Sequence, residues 1–247
     1  MVGKYQKGKH GLYIMRKEDI EIEAENILQN YCNDSLLKPQ KIDIEYLIEI
    51  IGINLCYAKL SQNSNILGAF VFNEGMLETY DNDKYEYRVF KEKTIIIDSQ
   101  IAEKNDVRLK FTYGHEFGHY VTQYDIFNTS KKQISLFDWN EEEKAVICKR
   151  ENISFDSIPN NYKKLETKQD WQEWQANYFS SCILIPRITL KMALKDYMDN
   201  YDIMSQDCLL DKLEHYELKK IISSLANLYE VSNEMMENRL KSLKYLS

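Results

Sequence analysis

Residues 115–119 read His115-Glu116-Phe117-Gly118-His119, an H-E-x-x-H motif. Each residue of a helix advances about 100°, so positions four apart lie on the same helical face. Both imidazoles can therefore bind one tetrahedral Zn²⁺ at about 2.0–2.1 Å. Glu116 is predicted to act as the base on the attacking water and not as a ligand. The chain has four histidines and two of them fall in this motif, which favours a metal site over a surface helix with solvated histidines.

Apolar residues flank the motif on both sides. Leu109 and Phe111 precede it and Val121 follows it, so the predicted helix has apolar positions along its whole length. Between Phe111 and Val121 the one acidic residue is Glu116. A buried carboxylate is unfavourable unless something compensates for its lost hydration. The pattern therefore favours a buried helix in which Glu116 has a catalytic role.

A catalytic zinc site needs a third protein ligand and an open fourth position. Asp125 lies six residues after His119, an offset that supplies the third ligand where the chain turns sharply at a glycine. The turning position here is Thr122, and on a continuing helix Asp125 would point away from the two histidines. Asp125 is therefore the less favoured of two alternatives.

The favoured third ligand is Glu173, in the helix-compatible segment 170–179. A glutamate on a second helix, packed against the first, completes a His₂Glu site. Asn177 lies one turn later and can accept the other ring N–H of a ligand histidine, which would fix the tautomer of that ring. The alternative is that Glu173 is a solvated helix residue.

These motifs together resemble the ImmA/IrrE family of zinc metallopeptidases. The family pattern is R-x-x-F-T-x-x-H-E-x-G-H, then E-x-x-A-N-x-F-A, then a leucine-rich run that ends in L-M-P. The matching residues here are Arg108, Phe111, Thr112, His115, Glu116, Gly118 and His119, then Glu173, Ala176, Asn177 and Phe179, then Leu184-Ile185-Pro186. The resemblance spans about Gly52 to Pro186 and extends more faintly to the C-terminal helices. It departs from the pattern at Ser180, where the family has alanine, and in a longer stretch between the two motifs.

The resemblance implies that His115, His119 and Glu173 bind Zn²⁺ and that Glu116 is the catalytic base. It implies an intracellular zinc-dependent endopeptidase that hydrolyses peptide bonds in a protein substrate, with a helix-turn-helix transcriptional repressor as the expected substrate. The alternative is a non-proteolytic zinc-binding regulator that acts by binding a transcription factor. A protein that acts only by binding has no need of Glu116, so its presence favours catalysis.

The predicted fold class is α+β: a small antiparallel sheet packed on a zincin-like helical core, with C-terminal helices. Helical spacing predicts helices over 17–31 and 44–51, the second closed by Gly52. Alternating patterns predict strands over 53–57, 68–72, 85–90 and 94–98, with turns at 73–75 and 81–83. An exposed edge of this meander is a hypothetical site for strand addition by substrate.

The predicted domain organisation is a zinc metallopeptidase domain over 1–186 and a C-terminal helical region over 187–247 packed on it. Residues 125–169 are polar and lack clear periodicity, which predicts a long insertion or lid. In the C-terminal region, Ser232 is the expected N-cap of a last helix.

Composition limits the classes of partner. The chain of 247 residues has a net charge of −7 and a pI near 5.3, which argues against binding to nucleic acid or an anionic membrane. The C-terminal helices look like a helix-turn-helix, but Glu234 and Glu237 would face the phosphates of DNA. No apolar run approaches the ~20 residues that span a bilayer, and no secretory signal is visible. Five scattered cysteines predict reduced thiols and a cytoplasmic location.

Peptide hydrolysis also needs a donor that stabilises the developing oxyanion. The candidates are Tyr113, Tyr120, Tyr178, Arg187 and His215, and the sequence does not choose among its 18 tyrosines.

Overall fold

The fold is α+β, as predicted. The computed structural model describes residues 4–103, 108–128, 145–149, 165–201 and 209–247, and these form eight α-helices and six β-strands. The helices are α1 (Lys17–Tyr31), α2 (Ile44–Ile50), α3 (Ser99–Glu103), α4 (Leu109–Phe127), α5 (Lys168–Leu184), α6 (Arg187–Tyr201), α7 (His215–Tyr229) and α8 (Asn233–Ser242). The strands are β1 (Asn54–Ala58), β2 (Ile66–Val71), β3 (Gly75–Asp81), β4 (Lys84–Phe90), β5 (Thr94–Asp98) and β6 (Ala145–Lys149).

The main sheet has the strand order β1-β5-β2-β6 and is mixed. β2 runs antiparallel to β5 and β6, but β1 runs parallel to β5, with Asn54 opposite Thr94. The prediction of a purely antiparallel sheet was therefore wrong. The reason lies in β5, whose five residues are all buried and which takes a central place between β1 and β2.

A separate two-stranded ladder joins β3 and β4. Its turn lies at Asn82 and Asp83, which have φ values of 47° and 61° and lie within the predicted turn 81–83. Positive φ at both central residues is the hairpin geometry that Asn and Asp tolerate. The strands β3 and β6 were not predicted from the sequence; the other four strands agree with their predicted ranges within two residues.

Helix α4 is the centre of the molecule. It packs against β2 and β5 on one side and against α5 on the other. Fifteen of its 19 residues are buried, which confirms the predicted burial of the helix that carries the H-E-x-x-H motif. The helix ends where Asn128 donates from Nδ2 to the carbonyl of Phe72 at 2.8 Å, so its C-terminus is fixed to the end of β2.

Several local predictions are confirmed. Helix α1 has the predicted bounds, and Gly52, with a φ of +75°, closes the turn after α2 in a conformation that favours glycine. Ser232 caps α8, because its Oγ accepts a hydrogen bond from the backbone N–H of Met235 at 3.1 Å. Within the described residues, none of the helices has the length and apolar character that crossing a membrane requires.

The predicted insertion at 125–169 is described only in part. Residues 125–128 belong to the end of α4 and its cap, and residues 145–149 form β6 at the edge of the sheet. Residues 129–144 and 150–164 lie outside the described residues. The division of the chain at residue 186 stays a prediction. Arg239 of α8 donates to the carbonyl of Ile185 and to Glu21 of α1, so the last helix contacts both of these segments.

Candidate metal and catalytic site

Three side chains from two helices converge on one point. The Nε2 atoms of His115 and His119, both on α4, lie 3.0 Å apart. The carboxylate of Glu173, on α5, lies 3.3 Å from Nε2 of His115 and 3.7 Å from Nε2 of His119. One ligand atom from each residue falls within 4.8 Å of the others. The structure therefore brings together the three residues that the sequence predicted as ligands.

Two amide side chains determine which ring nitrogen of each histidine carries the proton. His115 donates from Nδ1 to Oδ1 of Asn177 at 2.8 Å, which is the contact expected from the sequence. His119 donates from Nδ1 to Oε1 of Gln123 at 3.0 Å. With the proton on Nδ1 in both rings, both Nε2 atoms carry a lone pair that faces Glu173. Gln123 was not among the residues predicted from the sequence, although its position one turn after His119 was a usable signal.

This donor set fits a divalent metal. Two lone pairs and a carboxylate that face one another repel, and a cation between them relieves the repulsion. Both histidines are fully buried, and burial together with the neighbouring His115 lowers the pKa of His119 to about 4, so that this ring is neutral at pH 7. Two histidines with one glutamate form a ligand set that zinc takes in catalytic sites.

Glu116 lies outside this cluster and is fully buried. Neither of its carboxylate oxygens has a hydrogen-bond partner among the described residues. Burial raises the pKa of Glu116 to about 8; the nearby His115 opposes this shift and Glu173 adds to it. A buried carboxylate that is not paired is unfavourable, and such groups are concentrated at functional sites.

Strand β2 approaches Glu116 closely because it has a glycine there. A Cβ atom at Gly68 would lie 2.8 Å from Oε1 of Glu116 and 2.9 Å from Cγ2 of Thr112. β2 is paired on one side with β5 and on the other with β6, so the strand beside Glu116 is not an exposed edge in this structure. Among the described strands, the outer strand on that side of the sheet is β6, so a substrate strand could not pair directly with β2 beside Glu116.

Helices α4 and α5 approach closely enough to share a metal because small residues line their contact. A Cβ atom at Gly118 would lie 2.8 Å from both Cα and O of Ala176. One turn earlier, Gly114 faces Ser180, whose Oγ donates to the carbonyl of Phe111 at 3.0 Å. The glycine and alanine of the two motifs thus set the distance between the ligand-bearing helices.

We expect Gly118→Ala to lower the free energy of unfolding by about 1–2 kcal/mol, measured by urea denaturation. The added methyl group would clash with backbone atoms, which cannot rotate away, so the helices must separate; this strain outweighs the better helix propensity of alanine. Gly8→Ala is the control, because its added Cβ would meet the flexible side chain of Ile14 at 3.2 Å. Equal urea midpoints for Gly118→Ala and Gly8→Ala would contradict the close packing of α4 against α5 at Gly118.

The other sequence candidates lie elsewhere. Asp125 is in the last turns of α4, which continues unbroken past Thr122, and it is not part of the cluster. Tyr113 hydrogen-bonds to the hydroxyl of Tyr57 at 2.8 Å, and Tyr178 donates to Glu21 at 3.0 Å.

The remaining three candidate donors are paired with other groups or exposed to solvent. Arg187 is paired with Glu25, and Tyr120 lies beneath Lys93, whose Nζ is 5.2 Å from the ring centroid. His215 is exposed at the start of α7. None of the described contacts brings any of the five candidates to the cluster.

The α+β fold thus carries a His-His-Glu cluster that could hold a metal ion, with a buried glutamate near it. Residues 145–241 match the sequence model of the Peptidase_M78 family, described as the IrrE N-terminal-like domain. This match confirms the resemblance to the ImmA/IrrE family that the motifs predicted. The matched residues make up less than half of the chain. They include Glu173 and Asn177 but not the H-E-x-x-H motif, which lies on α4 and packs against α5 in the fold. No curated protein matches the chain.

Proposed function

We propose that this chain is an intracellular zinc-dependent endopeptidase that hydrolyses peptide bonds in a protein substrate. The observation that carries the proposal is the convergence of His115, His119 and Glu173 near the buried carboxylate of Glu116, which has no hydrogen-bond partner among the described residues. The match to a peptidase family supports the same reading. In this proposal the sheet with α4 and α5 forms a zincin-like core.

The proposed roles follow from the contacts of each side chain. His115, His119 and Glu173 would hold the metal, which when bound supplies Lewis-acid chemistry. Asn177 and Gln123 hold the imidazoles with Nε2 unprotonated. Glu116 takes a proton from the attacking water and delivers it to the leaving amine, because neither of its oxygens is occupied by a described hydrogen bond.

The substrate is part of the proposal. The resemblance to the ImmA/IrrE family supports a helix-turn-helix transcriptional repressor as the protein that is cleaved, in the cytoplasm. Net charge −7 supports a protein partner over nucleic acid. The rival function, regulation by binding a transcription factor without cleavage, would leave Glu116 without a role.

Metal content is the first test. We expect protein purified without added metal to contain about one zinc per chain, and the variants His115→Ala and Glu173→Ala to lose it, since each removes one of three ligands. Glu166→Ala is the matched control, because Glu166 is an exposed carboxylate beside the start of α5. A parent protein that binds no zinc after reconstitution would overturn the proposal.

Cleavage is the second test. Zinc-loaded protein is incubated with a proteome-derived peptide library, and new N-termini are identified by mass spectrometry. We expect cleavage at a restricted set of sites that disappears in His115→Ala. Zinc binding without any cleavage, of the library or of purified helix-turn-helix repressors, would favour the binding regulator.

A further inference from the structure

Gln123 connects the two helices that carry the ligands. Its side chain is fully buried and extends from α4, one turn after His119. Oε1 of Gln123 lies 3.0 Å from Nδ1 of His119, and Nε2 donates to the backbone carbonyl of Gln172 at 3.0 Å. Gln172 immediately precedes Glu173 in α5, so the side chain spans from one ligand to the backbone beside another.

The hydrogen bond from Gln123 to the carbonyl of Gln172 determines which group is the donor in the hydrogen bond between Gln123 and His119. A backbone carbonyl only accepts, so the NH₂ group of Gln123 must face Gln172 and its oxygen must face His119. An amide oxygen only accepts as well, and Nδ1 of His119 must then carry the proton. The ring is thereby held with a bare Nε2 directed at Glu173, 3.7 Å from Oε1 of that residue.

The bond to Gln172 also ties the two helices together at the level of the site. If α5 shifted along α4, the carbonyl of Gln172 and the carboxylate of Glu173 would move together, and Gln123 would turn with them. His115 has an amide partner of a different kind, because Asn177 reaches it directly from α5. His119 depends on a residue of its own helix, whose orientation is set by α5.

We propose that Gln123 is a positioning residue that fixes the tautomer and orientation of His119 through the backbone of α5. The inference rests on the proposed metal site and adds to it a residue outside the predicted motifs. Groups that orient a ligand histidine typically affect metal affinity by 10–100-fold. The carbonyl of Gln172 thus determines the orientation of the His119 ring through the side chain of Gln123.

The test compares two variants at neighbouring buried positions. Gln123→Met keeps the length of the side chain and removes both hydrogen bonds. Thr122→Val, the matched control, removes the bond from Thr122 Oγ1 to the carbonyl of Gly118 at 2.8 Å, which does not involve a ligand. Zinc dissociation constants are measured by competition with a chromophoric chelator. We expect affinity to fall about 10–100-fold in Gln123→Met and less than about threefold in Thr122→Val.

A second measurement does not depend on bound metal or on folding of the variant. Long-range ¹H–¹⁵N NMR of metal-free parent protein is expected to show His119 protonated on Nδ1. A proton on Nε2 of His119, or equal zinc affinities for the two variants, would overturn the inference while leaving the proposed function intact. A parent that binds no zinc but shows the Nδ1 tautomer would instead overturn the proposed function alone.

Discussion

Glu116→Gln is expected to lower kcat/KM for peptide cleavage by about 10²–10⁴-fold, the range that a general acid–base contributes. Glutamine has the shape of glutamate but cannot take up the proton of the attacking water. Zinc content is expected to remain at about one per chain, because Glu116 is not among the three converging ligands. The measurement pairs kinetics on a cleaved library peptide with metal analysis of the same sample.

A measurement of stability shows whether the lower kcat/KM of Glu116→Gln comes from lost catalysis or from unfolding of the variant. The carboxylate of Glu116 has no hydrogen-bond partner among the described residues, so a neutral amide in its place does not break a described contact. The unfolding midpoint of Glu116→Gln should therefore be at least as high as that of the parent. Glu166→Gln is the control for changing a carboxylate to an amide at an exposed site. Activity within tenfold of the parent would show that another group activates the water.

Arg239→Ala is expected to lower the free energy of unfolding by about 3–5 kcal/mol, as found when one partner of a buried ion pair is removed. The guanidinium of Arg239 is fully buried, with Nε donating to the carbonyl of Ile185 at 2.9 Å and NH2 donating to Glu21 at 2.8 Å. Its removal leaves Glu21, 2% exposed, as an unpaired charge between α1 and α8.

A double variant shows whether the loss of stability comes from losing the Arg239–Glu21 ion pair or from leaving one buried charge without its partner. Glu21→Leu with Arg239→Met replaces both charges by apolar groups and is expected to recover most of the lost stability, because the cost arises from one charge left alone. Arg16→Ala is the surface control, since the pair of Arg16 with Asp19 is exposed and contributes little. A double variant less stable than Arg239→Ala would contradict the assignment.

The pH dependence of unfolding provides a signature of the same pair. Burial alone would raise the pKa of Glu21, but the charge and hydrogen bonds of Arg239 outweigh it, so that the pKa of Glu21 lies below its ordinary value of 4.5. The parent therefore keeps this contribution above pH 4.5 and loses it as the pH falls through the lower folded value. Without Arg239, burial would raise the pKa of Glu21, and the variant would lose stability as the pH rises above 4.5. Urea denaturation from about pH 2 to pH 8 covers both slopes, the parent's below pH 4.5 and the variant's above it.

Features that depend on a few neighbouring residues were predicted from the sequence, whereas features that depend on pairing between distant segments were not. Helix α1 and the cap of α8 at Ser232 follow from periodicity and a hydroxyl at the right position, both of which act within a few residues. Strand β6 was missed, because a strand at the edge of a sheet depends on a partner such as Gly68, 80 residues from Cys148 in the register. The parallel pairing of β1 with β5 was missed for the same reason.

The residues of the candidate site can be recognised along the chain: one helix presents His115 and His119 on one face, with Glu116 between them, and a second helix carries Glu173 and Asn177. These features depend on the helical repeat and on residue type, and each pair of residues lies within five consecutive positions of the chain. Three contacts became visible only once the chain was folded: Gly68 lies against Glu116, Gln123 donates to the carbonyl of Gln172, and Arg239 is buried against Glu21. An arginine in a polar terminal helix looks solvated until segments more than 200 residues apart pack together, and that packing depends on contacts across the whole chain.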